Sequence, residues 1–382
     1  MTEDIVNIQN LELNFYTYAG VVEALDKVGL DIKKGDILGL VGETGCGKSV
    51  TSLAILNIVT PPGKIEGGRI IFYDQGKEVD LLKQKDAFLR KIRGKDISMI
   101  FQEPRAYLNP VYNVVDQIGE VLFLHRKQEI IKKAIEELKK SKGTPEEGLL
   151  TNYEIRMLQK MLKNPNSILL KILSRIPLLN MKHTLKGTLK KEVIEILKSM
   201  DLPDPERVSE AYPHELSGGM AQRVVIAMAL ACNPTLLIAD EPTTNLDVTV
   251  QLQILSLIRK LQHKFGSSIL YITHDMGVVA ELCNRVAVMY AGVVCESGDV
   301  IEIFKDPLHP YAKALLESIP RPGKDFKTIE GTVPSLINPP LGCRFHDRCP
   351  SAMDMCSKEK PEYMEVTKDH FVRCHLYSGS KK

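Results

Sequence analysis

The chain has 382 residues, is 44% hydrophobic and 26% charged, and carries a formal net charge of +2. A charge this close to zero argues against bulk binding of nucleic acid, and the start MTEDIVNIQN lacks the basic and apolar regions of a secretion signal. The best apolar run, VVIAMALA at residues 224–231, is too short to cross a bilayer. We therefore expect a cytosolic globular protein that makes any membrane contact through a partner.

The first chemical motif is the loop GETGCGKS, which follows the apolar run ILGLV and precedes a helical pattern. Strand, loop and helix in this order form the phosphate-binding motif G-x-x-x-x-G-K-[ST], whose backbone N–H groups surround phosphate oxygens. We expect Lys48 to reach the β- and γ-phosphates and Ser49 to ligate Mg²⁺. The predicted nucleotide-contacting residues here are Gly42, Glu43, Thr44, Gly45, Cys46, Gly47, Lys48, Ser49 and Val50.

Segment 126–191 is strongly basic, with sixteen Lys and Arg and six Glu. A solvated helical face is the simplest interpretation of such a segment. Contact with an anionic lipid surface or an acidic partner is the alternative.

The stretch ELSGGMAQRVVIAMALA predicts a second anion site. Ser217, Gly218 and Gly219 precede the helical pattern, so they place backbone donors at a helix N-terminus. The chain therefore has two candidate phosphate-binding segments.

The stretch PTLLIADEP predicts a pair of catalytic carboxylates. Four apolar residues, 236–239, are typical of a buried parallel strand that ends at Asp240 and Glu241, where ligands of open α/β sheets bind. We expect Asp240 to hold Mg²⁺ through its water shell and Glu241 to polarise the water that attacks the γ-phosphate.

Four cysteines lie close together near the C-terminus. Since disulfides are rare in a reducing cytosol, their concentration favours a metal site over disulfides or free thiols. The spacing lacks the paired C-x2-C of most zinc sites, so zinc and an iron–sulfur cluster both stay open, with His346, His370 and His375 as alternative ligands. The four cysteines are Cys343, Cys349, Cys356 and Cys374. The other four cysteines, which stand singly, are interpreted as buried core residues.

With these motifs in place, the chain resembles the ABC transporter nucleotide-binding subunits. LSGGMAQR is similar to the ABC signature, which lies between the phosphate loop and the acidic strand. The resemblance implies a head-to-tail dimer in which each ATP is held between the phosphate loop of one subunit and the signature of the other. Ser217 and Gly219 would then supply donors to the γ-phosphate only when the dimer closes.

The resemblance also implies roles for smaller elements. Gln102, in IFQEP, resembles the glutamine that touches Mg²⁺ and the attacking water, and Asp247, in NLD, resembles the aspartate at the dimer interface. His274, in ITHDM, resembles the histidine that contacts the γ-phosphate. Phe15, in LNFYTYAG, matches the aromatic that stacks on adenine, with Tyr16 and Tyr18 as the alternatives.

The branch of the family is indicated by FQEPRAYLNP, LDVTVQ, YAGVVCESG, HPYAKALLESIP and the cysteine tail. These resemble the oligopeptide/dipeptide importer ATPases, a group that includes importers of nickel and other small solutes. The implied partners are a second ATPase subunit, preferably in a heterodimer although a homodimer is possible, and two membrane permease subunits. An extracytoplasmic solute-binding protein acts indirectly, and no nucleic acid is expected.

In this branch the cysteine tail implies a [4Fe-4S] cluster, which favours iron–sulfur over zinc, and zinc stays the alternative. A soluble ABC ATPase acting on ribosomes or DNA is the alternative function. One phosphate loop, one signature and no sustained heptad pattern argue against it. The implied location is peripheral, on the cytoplasmic face of the membrane.

The predicted fold is α/β: an ABC-type P-loop ATPase core with a helical subdomain and a C-terminal cysteine-rich extension. We divide the chain into core residues 1–93, a helical subdomain at 94–220, returning core at 221–298 and a C-terminal region at 299–382. Segment 143–183 is longer than expected of this branch, and we interpret it as an expansion of the helical subdomain.

Overall fold

The computed structural model describes residues 3–74, 76–140, 145–163, 181–244, 246–320 and 328–378. The chain forms two compact units, one built from residues 1–102 and 234–382 and the other from residues 103–233. Among the described helices, none combines the length and the apolarity that crossing a bilayer requires.

Two sheets form the first unit. The strands are β1 (Asp4–Thr17), β2 (Gly20–Lys33), β3 (Ile37–Val41), β4 (Gly63–Asp74), β5 (Lys77–Asp80), β6 (Ile97–Ile100), β7 (Leu236–Asp240), β8 (Ser268–Thr273), β9 (Arg285–Tyr290), β10 (Val293–Asp299), β11 (Tyr363–Thr367) and β12 (His370–Arg373). Within the described residues, one sheet has the order β2-β1-β4-β5 and the other the order β11-β12-β10-β9-β3-β8-β7-β6.

The larger sheet is parallel at its centre. β3 pairs in parallel with β8 and β9, and β7 pairs in parallel with β6 and β8. Every residue of β3, β7 and β8 is buried, which suits strands covered on both faces. Their carboxyl ends therefore meet at one edge of the sheet, where Val41, Asp240 and Thr273 are the last strand residues.

The helices given next are those of the described residues. They are α1 (Lys48–Ile55), α2 (Asp86–Ile92), α3 (Pro104–Tyr107), α4 (Val114–His125), α5 (Lys127–Lys140), α6 (Pro145–Lys163), α7 (Met181–Ser199), α8 (Pro205–Glu210), α9 (Gly218–Leu230), α10 (Val248–Phe265), α11 (Met276–Leu282), α12 (Val300–Lys305) and α13 (Pro310–Glu317). Short 3₁₀ turns lie at Leu81–Lys83, Pro213–Glu215, His346–Arg348, Asp354–Ser357 and His375–Tyr377.

One apolar core joins the two sheets and α1 in the first unit. Leu11 from β1, Leu38 from β3, Ile55 from α1, Phe72 from β4 and Ile238 from β7 all belong to it and are almost fully buried. This packing holds α1 against the sheet, and the first two residues of α1, Lys48 and Ser49, are the last two of the phosphate-binding motif.

Helices α3–α9 form the second unit. α5, α6 and α7 share a separate apolar core, to which Ile130, Ile131, Leu158 and Leu185 contribute. Part of the predicted helical expansion is therefore helical with its own core. Residues 143–144 and 164–180 of that expansion lie outside the described residues.

The C-terminal region extends the larger sheet. β12 pairs antiparallel with β10, where Glu296 is opposite Val372, and β11 pairs with β12. Glu296 is fully buried and accepts hydrogen bonds from the backbone N–H groups of Leu308 (2.9 Å) and His309 (2.7 Å). Its carboxylate also lies 2.8 Å from His370 Nε2. This one side chain therefore connects the C-terminal region to the larger sheet.

Candidate functional site

The phosphate-binding motif forms a tight loop between β3 and α1. A Cβ on Gly42 would lie 2.0 Å from the carbonyl oxygen of Met289, and Gly47 has a φ of +105°, so both positions require glycine. Lys48 is buried, and its ammonium group donates to the carbonyl oxygens of Gly42 (2.7 Å) and Glu43 (3.0 Å). The loop is therefore closed around its own lysine, and α1 directs its N-terminal N–H groups toward the loop.

Ser49 and Asp240 come together although 191 positions separate them. The Ser49 hydroxyl donates to Asp240 Oδ1 at 3.1 Å. Burial raises the pKa of Asp240, and the neighbouring Glu241 carboxylate adds to this, while the Ser49 hydrogen bond and Lys48 oppose it. A hydroxyl beside a buried carboxylate is a donor set that suits Mg²⁺, so these two side chains fit the ion that the motif implies.

Glu241 and His274 also lie together, at the ends of the adjacent strands β7 and β8. His274 Nδ1 is 3.0 Å from Glu241 Oε1, and the Thr244 hydroxyl donates to Glu241 Oε2 at 2.9 Å. Partial burial acts to raise the pKa of Glu241, but the hydrogen bonds from His274 and Thr244 outweigh it and lower the pKa below its usual value. The side chain is thus held as an ionised carboxylate at neutral pH.

The three candidate adenine-stacking aromatics differ in their surroundings. Phe15 is half-buried and packs against the core, and a Cβ on Gly63 would lie 2.7 Å from its ring. The Tyr16 hydroxyl donates to Glu66 Oε1 at 2.7 Å, whereas Tyr18 is fully exposed. Of these three aromatics, Tyr16 and Tyr18 are exposed, whereas Phe15 is partly buried.

Gln102 and Asp247 occupy exposed positions in the first unit. Gln102 follows β6, and Asp247 is the N-cap of α10, where its Oδ1 accepts from the N–H of Val250 at 2.9 Å. Within the described part of the chain, the hydrogen bonds that join Ser49 to Asp240 and Glu241 to His274 and Thr244 include neither residue.

The predicted signature residues begin α9 in the second unit. Ser217 is the N-cap, and its hydroxyl accepts from the N–H of Met220 at 3.3 Å, while Gly218 and Gly219 are the first helical residues. This is the helix N-terminus that the sequence predicts.

Two residues that contact the phosphate-binding loop were not predicted from the sequence. Tyr311 in α13 accepts from the N–H of Glu43 at 3.0 Å, and Arg348 contacts the Glu43 carboxylate with both terminal nitrogens, at 2.7 and 3.1 Å. The stretch HPYAKALLESIP and the cysteine-rich segment contain these residues, but nothing in their sequence indicates this partner.

The four tail cysteines line one small cavity, together with His346 and His375. Burial raises the pKa of the Cys343 thiol to about 11, and burial also raises those of Cys349 and Cys374. Within the described ranges, no group of three or more His, Cys, Asp or Glu side chains is arranged to hold a metal ion. Four thiols at one cavity nevertheless form the donor set that iron–sulfur clusters use.

The candidate histidine ligands already have other partners. His346 contacts the Cys343 carbonyl and Asp347 at 2.9 Å each, and His375 Nε2 lies 2.9 Å from the Glu359 carbonyl. His370, paired with Glu296, is not among the residues that line the cavity. The four cysteines are therefore the candidate ligands at this cavity that the histidine contacts do not account for.

Comparison with known proteins places this geometry in a family. The model described as "ABC transporter" matches residues 25–244, and "Oligopeptide/dipeptide transporter, C-terminal region" matches residues 295–356. The dipeptide transport ATP-binding protein DppD of Bacillus subtilis is 42% identical over 98% of this chain and 95% of its own length. The oligopeptide transport ATP-binding protein OppD of the same organism is 41% identical over 97% of this chain and 88% of its own.

Solved structures agree on the fold. The ATP-binding cassette MJ0796, in a dimeric post-hydrolysis state bound to ADP and Pi, superposes with a TM-score of 0.53 and 25% identity, covering 77% of this chain and 98% of the cassette. CbiO1 of Clostridium perfringens gives a TM-score of 0.52 at 25% identity, covering 80% and 92%. The α/β ATPase fold with a helical subdomain is thereby confirmed, and this chain belongs to the ABC transporter ATP-binding proteins, in the branch that carries the oligopeptide/dipeptide transporter C-terminal region.

Proposed function

We propose that this chain is the ATPase subunit of an importer that takes up di- or oligopeptides through a membrane permease. The observation that carries the proposal is that one chain joins an ABC transporter ATPase region, over residues 25–244, to a peptide-transporter C-terminal region, over residues 295–356. DppD and OppD, which match almost end to end, are named for dipeptide and oligopeptide transport. As an ABC ATPase, the chain supplies the free energy of ATP hydrolysis to this uptake.

Hydrolysis is proposed to use Glu241 as the general base for the attacking water. Its lowered pKa keeps it ionised, and His274 Nδ1 lies 3.0 Å from Oε1. His274 is proposed to contact the γ-phosphate. Gln102 is proposed to orient the same water. Mg²⁺, when bound, neutralises charge on the phosphates, and Ser49, Asp240 and Gln102 would hold it.

Nucleotide binding is proposed to involve the whole loop from Gly42 to Val50 together with an aromatic side chain. Phe15 is the proposed adenine-stacking residue, with Tyr16 and Tyr18 as alternatives. The exposed ring of Tyr16 and the half-buried ring of Phe15 make a comparison of single alanine variants informative.

The ATP site is proposed to be completed by a second ATPase subunit. Ser217, Gly218 and Gly219 would contact the nucleotide of the partner subunit, and Asp247 would lie at the interface. A heterodimer is preferred over a homodimer. The dimer would bind two permease subunits at the cytoplasmic face of the membrane, and a solute-binding protein would deliver the peptide.

Cys343, Cys349, Cys356 and Cys374 are proposed to hold a [4Fe-4S] cluster, with zinc as the alternative. The shared cavity of the four thiols supports a thiolate-bound group. Ligand binding there would contribute folding free energy to a segment that is rich in loops.

The division of the chain at residues 93, 220 and 298 also stays a prediction.

The test of the proposed function is reconstitution in vesicles that contain the permease and, inside them, a peptide-loaded binding protein. ATP hydrolysis should rise several-fold with the loaded binding protein and should be coupled to peptide movement. Stimulation of ATP hydrolysis by a nickel-loaded binding protein, and not by a peptide-loaded one, would indicate that the solute is nickel. Stimulation by ribosomes or DNA, with no response to the permease, would overturn the importer assignment.

A further inference from the structure

Glu43, in the phosphate-binding loop, is held by the C-terminal region at two points. Its backbone N–H donates to the Tyr311 hydroxyl at 3.0 Å. Its carboxylate accepts a bidentate pair from Arg348, at 2.7 Å to Oε2 and 3.1 Å to Oε1. Paired contacts of this geometry fix both the position and the orientation of the carboxylate.

The Arg348 side chain is itself fixed. It is 5% exposed, and its remaining N–H groups donate to the carbonyl oxygens of Glu330 (2.8 Å) and Ile329 (3.2 Å) and to the Tyr290 hydroxyl (3.1 Å). A nearly buried guanidinium with this many partners has one available position, so it acts as a rigid support for Glu43.

The aromatic side chains around this contact reinforce it. The ring of Tyr290 lies 4.6 Å from that of Tyr311 and 5.2 Å from that of Phe345 in an edge-on arrangement. Tyr311 and Phe345 are 5.3 Å apart. Because all three rings are nearly fully buried, the Tyr311 hydroxyl has little freedom to leave Glu43.

The position of Glu43 matters for the rest of the loop. Its carbonyl oxygen accepts from Lys48 Nζ at 3.0 Å and from the N–H of Cys46 at 3.3 Å. A shift of Glu43 would therefore move the lysine and the backbone N–H groups that the motif presents to phosphate.

The same segment of the tail reaches the loop by a second route. Arg344 donates to the carbonyl of Ala291 (2.5 Å) and to the carboxylates of Glu23 and Asp26. Gly292, next in the chain, donates its N–H to the carbonyl of Cys46 in the loop at 2.9 Å. Both arginines lie between Cys343 and Cys349, so the ordering of that short segment determines both contacts.

We propose that Arg348 and Tyr311 are positioning residues for the phosphate-binding loop, through which the C-terminal region sets the affinity for the nucleotide. The inference rests on the proposed role of this loop as the phosphate site. It assigns to the C-terminal region a role inside the ATPase unit, in addition to any role it has toward a partner.

The experiment is a calorimetric titration of the full-length protein with MgADP, which measures the Kd. Arg348→Ala should raise the Kd roughly tenfold, because it removes two hydrogen bonds to a charged group. Tyr311→Phe, which removes a single oxygen atom, should raise the Kd about threefold. Tyr363→Phe is the matched control, because Tyr363 belongs to the same tail and its hydroxyl lies 2.6 Å from Ser297 Oγ, away from Glu43.

A second measurement separates positioning from general stability. The MgADP-induced rise in Tm should shrink in Arg348→Ala and Tyr311→Phe, whatever their Tm without nucleotide, because this rise reports on the Kd. In a Glu43→Gln background, Arg348→Ala should raise the Kd for MgADP by a much smaller factor than it does alone, since the carboxylate that Arg348 pairs with is already altered.

The outcomes distinguish the inference from the proposed function. If Lys48→Ala binds MgADP as the unmodified protein does, the loop is not the phosphate site and the inference is overturned with it. If Lys48→Ala loses binding while Tyr311→Phe and Arg348→Ala keep the original Kd, the phosphate site stands and the inference is wrong. Should Arg348→Ala not fold, Tyr311→Phe alone decides.

Discussion

His274 Nδ1 lies 3.0 Å from Glu241 Oε1, at the ends of two parallel strands that are direct neighbours in the sheet. The two residues are 33 positions apart in the chain, and the register of β7 with β8 brings them together. The N–H of Glu241 donates to the carbonyl of Ile272 at 3.0 Å, which continues the strand pairing past Asp240. The backbone pairing thus fixes the carboxylate of Glu241 beside the ring of His274.

Replacing Glu241 by Gln should abolish most of the hydrolysis while keeping nucleotide binding. A general base contributes about a hundredfold or more to the rate, so the ATPase rate should fall by at least that factor. The variant should accumulate as an ATP-bound dimer, which size-exclusion chromatography with MgATP would detect.

The matched control for that variant is Thr244→Val, which removes only the hydrogen bond to Oε2. It should slow hydrolysis by a few-fold, because the carboxylate stays in place but loses one partner. A normal rate in Glu241→Gln would show that another group activates the water.

Removing the Ser49 hydroxyl should increase the Mg²⁺ requirement of hydrolysis. Its hydrogen bond to Asp240, at 3.1 Å, places both groups where the phosphate motif expects the ion. Ser49→Ala should raise the Mg²⁺ concentration for half-maximal rate roughly tenfold, measured by Mg²⁺ titration at saturating ATP.

Ser52→Ala provides the control, because Ser52 is in the same helix and its hydroxyl donates to the Ser49 carbonyl. Its Mg²⁺ dependence should be unchanged. An equal shift in both variants would indicate that the helix was disturbed, and that Ser49 has no special contact with the ion.

The local motifs were predictable because each depends on a short stretch of chain. The run before the loop coincides with β3, and residues 236–239 lie in β7 with Asp240 as its last residue. Hydrophobicity and the spacing of glycines encode such elements directly. Once two adjacent parallel strands are assumed, the meeting of Glu241 with His274 follows as well.

The contacts of the C-terminal region were not predictable in this way. Tyr311 and Arg348 reach Glu43 across 268 and 305 positions, and no local pattern specifies such a pairing. The sequence suggested a separate tail, whereas β12 pairs with β10 and makes the tail part of the ATPase sheet. Its two strands, β11 and β12, are short, and their alternation of polar and apolar residues is too weak to predict strands from sequence.

The cysteine cavity leads to a prediction about metal content. Protein purified without oxygen should contain about four irons and four sulfides per chain if a [4Fe-4S] cluster is bound. Cys349→Ser and Cys374→Ser should each lower the iron content, because each removes one of the thiols that line the cavity. Removal of the metal by a chelator should also lower the Tm.

Cys283→Ser is the control for the cysteine variants. Cys283 is buried at α11, where burial raises the pKa of its thiol to about 12, and it does not line the cavity. Its iron content should equal that of the unmodified protein. One zinc per chain would contradict the cluster, and the absence of both metals would contradict any metal at the four cysteines.

Asp36, before β3, leads to a prediction about pH and stability. Its side chain is 10% exposed, and Oδ2 lies 3.5 Å from Arg285, whose nearer partner is Asp31 at 2.9 Å. Burial raises the pKa of Asp36, and Arg285 offsets this only in part. Since folding favours the protonated form of Asp36, the native state binds more protons than the unfolded state. The free energy of unfolding therefore falls as the pH rises from the ordinary pKa of an aspartate through the raised pKa of native Asp36.

Asp36→Asn should therefore raise the Tm at pH 7.5 by roughly 1–3 °C, because the amide carries no charge to desolvate. The gain should shrink as the pH is lowered, because more of the native Asp36 is then protonated, and thermal unfolding at pH 7.5 and at acidic pH measures the difference. Asp31→Asn is the control with the opposite sign, because it removes the nearer partner of Arg285 and should lower the Tm. A lower Tm for Asp36→Asn at pH 7.5 would mean that its ion pair with Arg285 outweighs the desolvation of the carboxylate.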